Sequence, residues 1–415
     1  MTTTATVRAS LPVVPLGAPR SRDLCTDCGV SRSRHAGRCG RACQFIHPRY
    51  AELERAAHGR TWDPERSDER WFGPFETMVR ARLRRPAAGA QWTGITTRLA
   101  EHLLESGTVE AVLATASEPG DPWRPRPVLV RHAADMRQCR GMKMGFSPVL
   151  GLLDEVERLG LRRIAVIGVP CQIHALRALE AELGLERLYV IGTPCSDNTS
   201  TERFRTFLTL LTTRPDDVTW MEFMPDYHVE LRFRDGSERR IPFIDLPIRD
   251  LPEDFFPLTC RSCVDYTNRL ADITVGYMGG DGEQWLLVRN ARGREMLSGL
   301  EGELDCSAPT SRGNRTRAVR AFLAALETAA GGLPARRAPR PLRPLVRWSM
   351  ERFGPRGLEF ARTRVEMKLV EAITSLRRHR PRRVRRAIPP YAWALAARYG
   401  IAPTPDEGPT APGAV

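Results

Sequence analysis

A chain of 415 residues is long enough for about two or three domains and a large buried core. Hydrophobic residues make up 42% and charged residues 27%, which excludes wholesale disorder, and no apolar run approaches the roughly 18 residues of a membrane span. The net charge of +14 is uneven: residues 331–415 hold 18 Lys/Arg against 6 Asp/Glu, whereas residues 1–330 hold 45 against 43. A neutral body with a basic end argues for an acidic partner or an anionic surface, and against a body built to bind nucleic acid.

In chain order, residues 1–24 are rich in Pro, Ser and Arg and contain no continuous apolar run, so a loose leader without a secretory signal, and a cytoplasmic protein, are expected. Residues 25–75 open on Cys25, Cys28, Cys39 and Cys43, in the order C-x2-C-x10-C-x3-C. Ten cysteines in a chain without that signal should stay reduced, which points to metal or redox chemistry. Four thiolates suit tetrahedral zinc, with His35 and His47 as spare ligands, or a cubane iron–sulfur cluster, and spacing alone does not separate the two.

Residues 76–330 read as an α/β core. Ile95, Leu99, Leu103 and Leu104 have helical spacing within 91–107. The run Ile164-Ala-Val-Ile-Gly-Val-Pro-Cys171 is followed by a helix-like segment and then by a second run of the same kind, Leu188-Tyr-Val-Ile-Gly-Thr-Pro-Cys195. The repeat fits one βαβ crossover, with both cysteines at the carboxyl ends of neighbouring parallel strands, where open α/β sheets place their sites. A helix near 201–213, a hairpin turning at Asp235-Gly236 and strands in ADITVGYMG and WLLVRN complete the core. Cys260 and Cys263 form a second C-x2-C, in a loop far from the first runs. Cys171, Cys195, Cys260 and Cys263 gathered at a sheet edge would favour a redox cluster; the alternative is that Cys171 and Cys195 are small buried residues. Residues 331–415 form a basic region with an amphipathic helix near 357–378, whose apolar Leu358, Phe360, Val365, Leu369 and Ile373 would lie on an anionic membrane or pack on the body. No GxGxxG and no Walker loop is present.

The stretches GAQWTGITTR, CRGMKMGFSP, GVPCQIHALR, GTPCSDN, CRSCVDYTNRLADITVGYMG and VRNARGREML resemble the coenzyme F420 hydrogenase/dehydrogenase beta-subunit family. More narrowly they are similar to its pigment branch, which contains ferredoxin-dependent divinyl chlorophyllide 8-vinyl reductases and plant 7-hydroxymethyl chlorophyll a reductases. The resemblance runs from about Cys25 to about Tyr399 and implies FAD, two [4Fe–4S] clusters and reduced ferredoxin as electron donor. It implies Cys171, Cys195, Cys260 and Cys263 as ligands of one cluster and the N-terminal cysteines as ligands of the other. Relatives commonly read C-x2-C-x2-C with a later fourth Cys there; this chain has Ser31 at the third position, so either Cys39 takes its place or the cluster is incomplete or has a non-cysteine ligand.

The resemblance also puts flavin binding on Gln91, Thr93, Gly94, Thr96, Thr97, Lys143 and Ser147, with Asn198 beside a cluster cysteine. Lys143 is one of only two lysines, the other being Lys368. The activity implied is reduction of the 8-vinyl group of a divinyl (proto)chlorophyllide, a tetrapyrrole, at or near a photosynthetic membrane. A 7-hydroxymethyl reductase, an F420-type redox subunit and a non-catalytic zinc-binding protein are the alternatives. For the proton donor the sequence supplies His174, Tyr277, Asp281 and Glu283 as candidates without choosing among them.

Overall fold

A computed structural model describes residues 11–18, 24–277, 282–330 and 338–408. Among them, a mixed sheet of eight strands divides the core: β1 (Thr77–Leu83), β2 (Ala111–Glu118), β3 (Asp121–Val130), β4 (Arg163–Gly168) and β5 (Arg187–Gly192) come first. A separate three-stranded sheet, β6 (Val218–Phe223), β7 (His228–Phe233) and β8 (Glu238–Pro242), intervenes before β9 (Ile273–Gly276), β10 (Gln284–Val288) and β11 (Leu304–Ser307) return to the large one. The strand order is β11-β1-β10-β9-β5-β4-β2-β3, with β2, β4, β5 and β9 mutually parallel and the flanking pairs antiparallel.

The two apolar runs with Gly-x-Pro-Cys endings are β4 and β5, joined by the Pro170–Leu179 helix and paired in parallel with Gly168 opposite Gly192. Their side chains alternate between two cores. Ile164, Val166, Leu188 and Val190 face one, and Ala165, Tyr189 and Ile191 face the other. A parallel strand covered on both faces reads as a continuous apolar run, which is why these two stood out. The hairpin expected at Asp235-Gly236 is β7–β8. The β2–β3 hairpin had no such signature, because β3 contains Pro122, Pro125 and Pro127; as an edge strand it tolerates residues that cannot donate to a ladder.

Part of the expected loose leader lies against the body. Leu11 is buried, its N–H donates to Gln138 Oε1 (3.3 Å), and its carbonyl accepts from Arg126 (3.2 Å). The basic C-terminal region is also integral to the core. Val365, Leu369 and Ile373 of the Leu358–His379 helix are at most 2% exposed within the main core, so the face that would have lain on a membrane is covered by protein. Among the described residues no helix is long and apolar enough to cross a membrane.

Removing side-chain volume from this helix tests its place in the core. Leu369→Ala should destabilise the protein by about 2–5 kcal/mol, read by denaturant unfolding, because the leucine is fully enclosed. A peripheral helix would lose almost nothing.

Candidate functional site

The carboxyl ends of β4, β5 and β9 open into a cleft of about 480 Å3. Gly276 at the end of β9 allows this edge to close up, since a Cβ there would stand 2.2 Å from Pro194 Cγ. On the other side, Gly94 begins the Ile95–Glu105 helix with a φ of 93° and no side-chain cap. Gln284 of β10 takes the cap's place. Its Oε1 accepts from Ile95 N–H (3.0 Å) and Thr93 Oγ1 (3.1 Å), leaving the rest of the helix start toward the cleft. Helix starts of this kind suit anionic groups.

Of the residues expected at a flavin, Gln91, Gly94, Thr96, Thr97, Lys143, Ser147 and Asn198 line the cleft. Thr93 does not: its hydroxyl is buried between Leu83 N–H and Gln284, and its role is to hold the loop. Lys143 is no solvated surface lysine. Its Nζ donates to the carbonyls of Cys139 (2.6 Å), Arg140 (2.6 Å) and Gly141 (3.2 Å), and burial lowers its amine to about 8. Ser147 Oγ accepts from Thr115 (2.9 Å), and Asn198 Nδ2 donates to the Gly145 carbonyl (2.7 Å).

The eight cysteines fall into two neighbouring groups. Cys25, Cys28, Cys39 and Cys43 line one small cavity, into which Cys171 also reaches. Cys171, Cys195 and Cys260 line the large cleft, and Cys263 faces a small adjoining cavity. Burial pushes the thiols of Cys28, Cys171, Cys195, Cys260 and Cys263 up, Cys171 to about 12, and neighbouring cysteines push several further. The groups are also tied together: Thr26, next to Cys25, donates to Cys171 Sγ (3.5 Å), and Gln44, next to Cys43, donates to Cys263 Sγ (3.4 Å). Among the described residues no three His, Cys, Asp or Glu side chains converge as on a single metal ion.

Of the candidate proton donors among the described residues, only Tyr277 lies in the cleft. His174 is buried away from it, where its ring meets the Ala42 carbonyl (3.0 Å) and Arg49 N–H (3.2 Å), and burial lowers it to about 4. Glu283 pairs with Arg80 (2.6 Å), and Asp281 lies outside the described residues. Sequence reasoning missed the aromatic wall: Trp92 stacks on Tyr277 at 4.7 Å and 9°, with Phe360 edge-on to Tyr277 at 5.0 Å. It also missed the place of Lys368, whose Nζ donates to Asp197 (2.5 Å) and to the Cys260 carbonyl. The scarcity of lysine was the available signal for Lys368, whereas nothing local marks a stack between residues so far apart.

A cysteine-rich cleft at the edge of a mixed α/β sheet carries a donor set suited to metal or redox chemistry. The chain belongs to the coenzyme F420 hydrogenase/dehydrogenase beta-subunit family: residues 78–154 match its N-terminal part and residues 161–311 its C-terminal part. It is 37% identical to the chloroplastic 7-hydroxymethyl chlorophyll a reductase of Oryza sativa, over 94% of this chain and 85% of that protein. A protein of Nostoc sp. is 36% identical over 92% of this chain and 94% of its own. A chain of the F420-reducing [NiFe] hydrogenase complex from Methanosarcina barkeri shares the fold, with a TM-score of 0.53 at 22% identity, covering 73% of this chain and 94% of that one.

The two lysines differ enough to be told apart chemically. Lys143 is lowered by burial; burial also acts on Lys368, but Asp197 and Glu371 outweigh it and push that amine up. Acylation near pH 8.5 should therefore modify Lys143 well before Lys368, as read by peptide mass mapping. Equal labelling would contradict the geometry.

Proposed function

We propose that the protein is an iron–sulfur flavoenzyme that uses reduced ferredoxin to reduce a peripheral substituent of a chlorophyll-type tetrapyrrole, with the 8-vinyl group of divinyl chlorophyllide or protochlorophyllide as first substrate. The cleft is the observation that carries it. One wall has the residues expected at a flavin, another has cysteines, and the Trp92–Tyr277 stack gives a broad aromatic surface to a planar macrocycle.

The residues fit these groups. A cubane cluster bonds each thiolate to a separate corner iron, so its four sulfurs surround a space in place of converging on a point. Cys25, Cys28, Cys39 and Cys43 around one cavity meet that requirement, with Ser31 on the same lining. The Asp27 N–H on Cys25 Sγ (3.2 Å), Thr26 on Cys171 and Gln44 on Cys263 are donors aimed at sulfur, which favour its anionic form. FAD, held by Gln91, Gly94, Thr96 and Thr97, would turn single electrons into a hydride. Lys143 acts on that site by fixing the 139–141 loop. Near the N-terminal cysteines, Arg383 donates to the Phe45 carbonyl (2.6 Å) while Arg382, Arg385 and Arg386 are exposed, a surface suited to an acidic electron donor.

Identity to the rice reductase favours a second reading, removal of the 7-hydroxymethyl oxygen from a chlorophyll pigment. The two are separated by anaerobic turnover with reduced ferredoxin. Divinyl chlorophyllide should gain two hydrogens, whereas the hydroxymethyl pigment would lose an oxygen; conversion of the second alone would replace the first reading. Cys260→Ser should abolish ferredoxin-driven turnover with either pigment. Cys39→Ser should remove about four irons per chain and leave the flavin bound, by iron and flavin analysis of anaerobically purified protein. Unchanged iron would take Cys39 out of the ligand set.

A further inference from the structure

Glu222 of β6 lies on the cleft wall beside Phe223, an aromatic ring that is 42% exposed. The glutamate is only 5% exposed, and its Oε1 has no hydrogen-bond partner among the described residues. Its place in the small sheet explains why it has no counter-ion among the described residues. In the β6–β7 ladder Glu222 stands opposite Glu230, and Arg232 bonds Glu230 (2.9 Å) while its guanidinium lies over the Trp220 ring at 3.9 Å. Arg240 of β8 also approaches Glu230, at 3.9 Å. Across the cleft the cations are already engaged, Lys143 by three carbonyls and Arg140 by Glu101 (2.8 Å). Burial, opposed by Arg232 and reinforced by Glu230, raises the Glu222 carboxyl to about 8. It is therefore mostly protonated at neutral pH, a neutral acid facing the space a substrate would fill.

We propose that Glu222 is the general acid of this cleft, the group that protonates the substrate during reduction. This deepens the pigment-reductase reading and rests on it. A bound flavin would supply the two electrons as hydride to one carbon of the vinyl group; at the other carbon the Glu222 O–H bond breaks and a C–H bond forms. In the hydroxymethyl reading the same proton goes to the departing hydroxyl, which leaves as water. Either way the carboxylate left behind is reprotonated from solvent, and charge and atoms balance. Tyr277 is a poorer donor, because burial pushes its phenol far above its ordinary range.

Glu222→Gln keeps the shape and removes the acid. With whichever pigment the wild type converts, turnover should fall at least about 100-fold, since a positioned acid contributes about 10²–10⁴. Wild-type kcat/KM should decline above about pH 8, and the residual rate of the variant should lack that limb. Independently of turnover, infrared difference spectra of the purified protein between about pH 6 and about pH 10 should contain a protonated-carboxyl band titrating near pH 8 that is missing in Glu222→Gln. The fold control is stability. A carboxyl whose folded value is raised contributes most below its unfolded value of about 4.3 and loses that contribution as pH rises through 8, so the variant should unfold no more readily than wild type at pH 9. A variant turning over within about threefold of wild type, or a spectrum without that band, overturns the assignment. A wild type that converts neither pigment but shows the band sinks the pigment reading and leaves the buried acid standing.

Discussion

Everything at the site depends on the in-register parallel pairing of β4 and β5. Gly168 stands opposite Gly192, so the two chains leave the sheet side by side and each delivers a cysteine one residue after a proline. A slip of one residue would turn one of these endings to the other face of the sheet, because strand side chains alternate. The third parallel strand is locked to the pair by Asp272, just before β9. Its carboxylate accepts from Val190 N–H (2.7 Å), Arg177 (2.7 Å), Asn290 (2.7 Å) and Arg292 (3.0 Å). Arg177 and Asp272 are both essentially fully buried, and breaking such a pair by removing one partner typically costs about 3–5 kcal/mol.

Buried arginines perform a second task, shaping the loop that carries Cys260 and Cys263. Arg289 donates to the carbonyls of Phe72 (2.8 Å), Pro74 (2.9 Å) and Thr267 (3.0 Å). Arg269 pairs with Glu54 (2.8 Å) and lies over the Tyr391 ring at 4.1 Å, which gives a favourable face to a charge whose Nη atoms have no hydrogen-bond partner among the described residues. Asn268 adopts a φ of 59° and donates to the Gly168 carbonyl (2.8 Å), tying the loop to the end of β4. Irregular backbone is affordable inside the protein because each turn of it is answered by a side-chain donor.

Legibility in the sequence followed local pattern. The parallel strands β4, β5 and β9, the β7–β8 hairpin and the helices near 91–107, 201–213 and 357–378 were readable, since apolar runs, Asp-Gly turns and helical spacing act over a few residues; the parallel strand β2 and the Arg315–Ala330 helix were not read. The Pro-rich edge strand β3 contradicts strand propensity and was invisible. Of the residues singled out by distinctive chemistry, Lys143, most of the Gln91–Thr97 segment and the eight cysteines line the cleft or the cavities beside it. Thr93 and His174 were assigned to the site because they neighbour it in sequence, yet their side chains turn to Gln284 and to Ala42. Glu222 lies on β6, which the sequence pattern did not single out. Its isolation arises from Arg232 preferring Glu230, a choice made across a ladder that periodicity does not reveal.

The Leu358–His379 helix sets an order of events in making the protein. Every cysteine of the two groups has been synthesised by residue 263, but Lys368, which holds the Cys260 carbonyl and Asp197, follows a long way behind on the same chain. Chains emerge N-terminus first. A growing polypeptide therefore leaves these thiols uncovered by that helix until its last part is released, and that interval is when their oxidation is the main hazard.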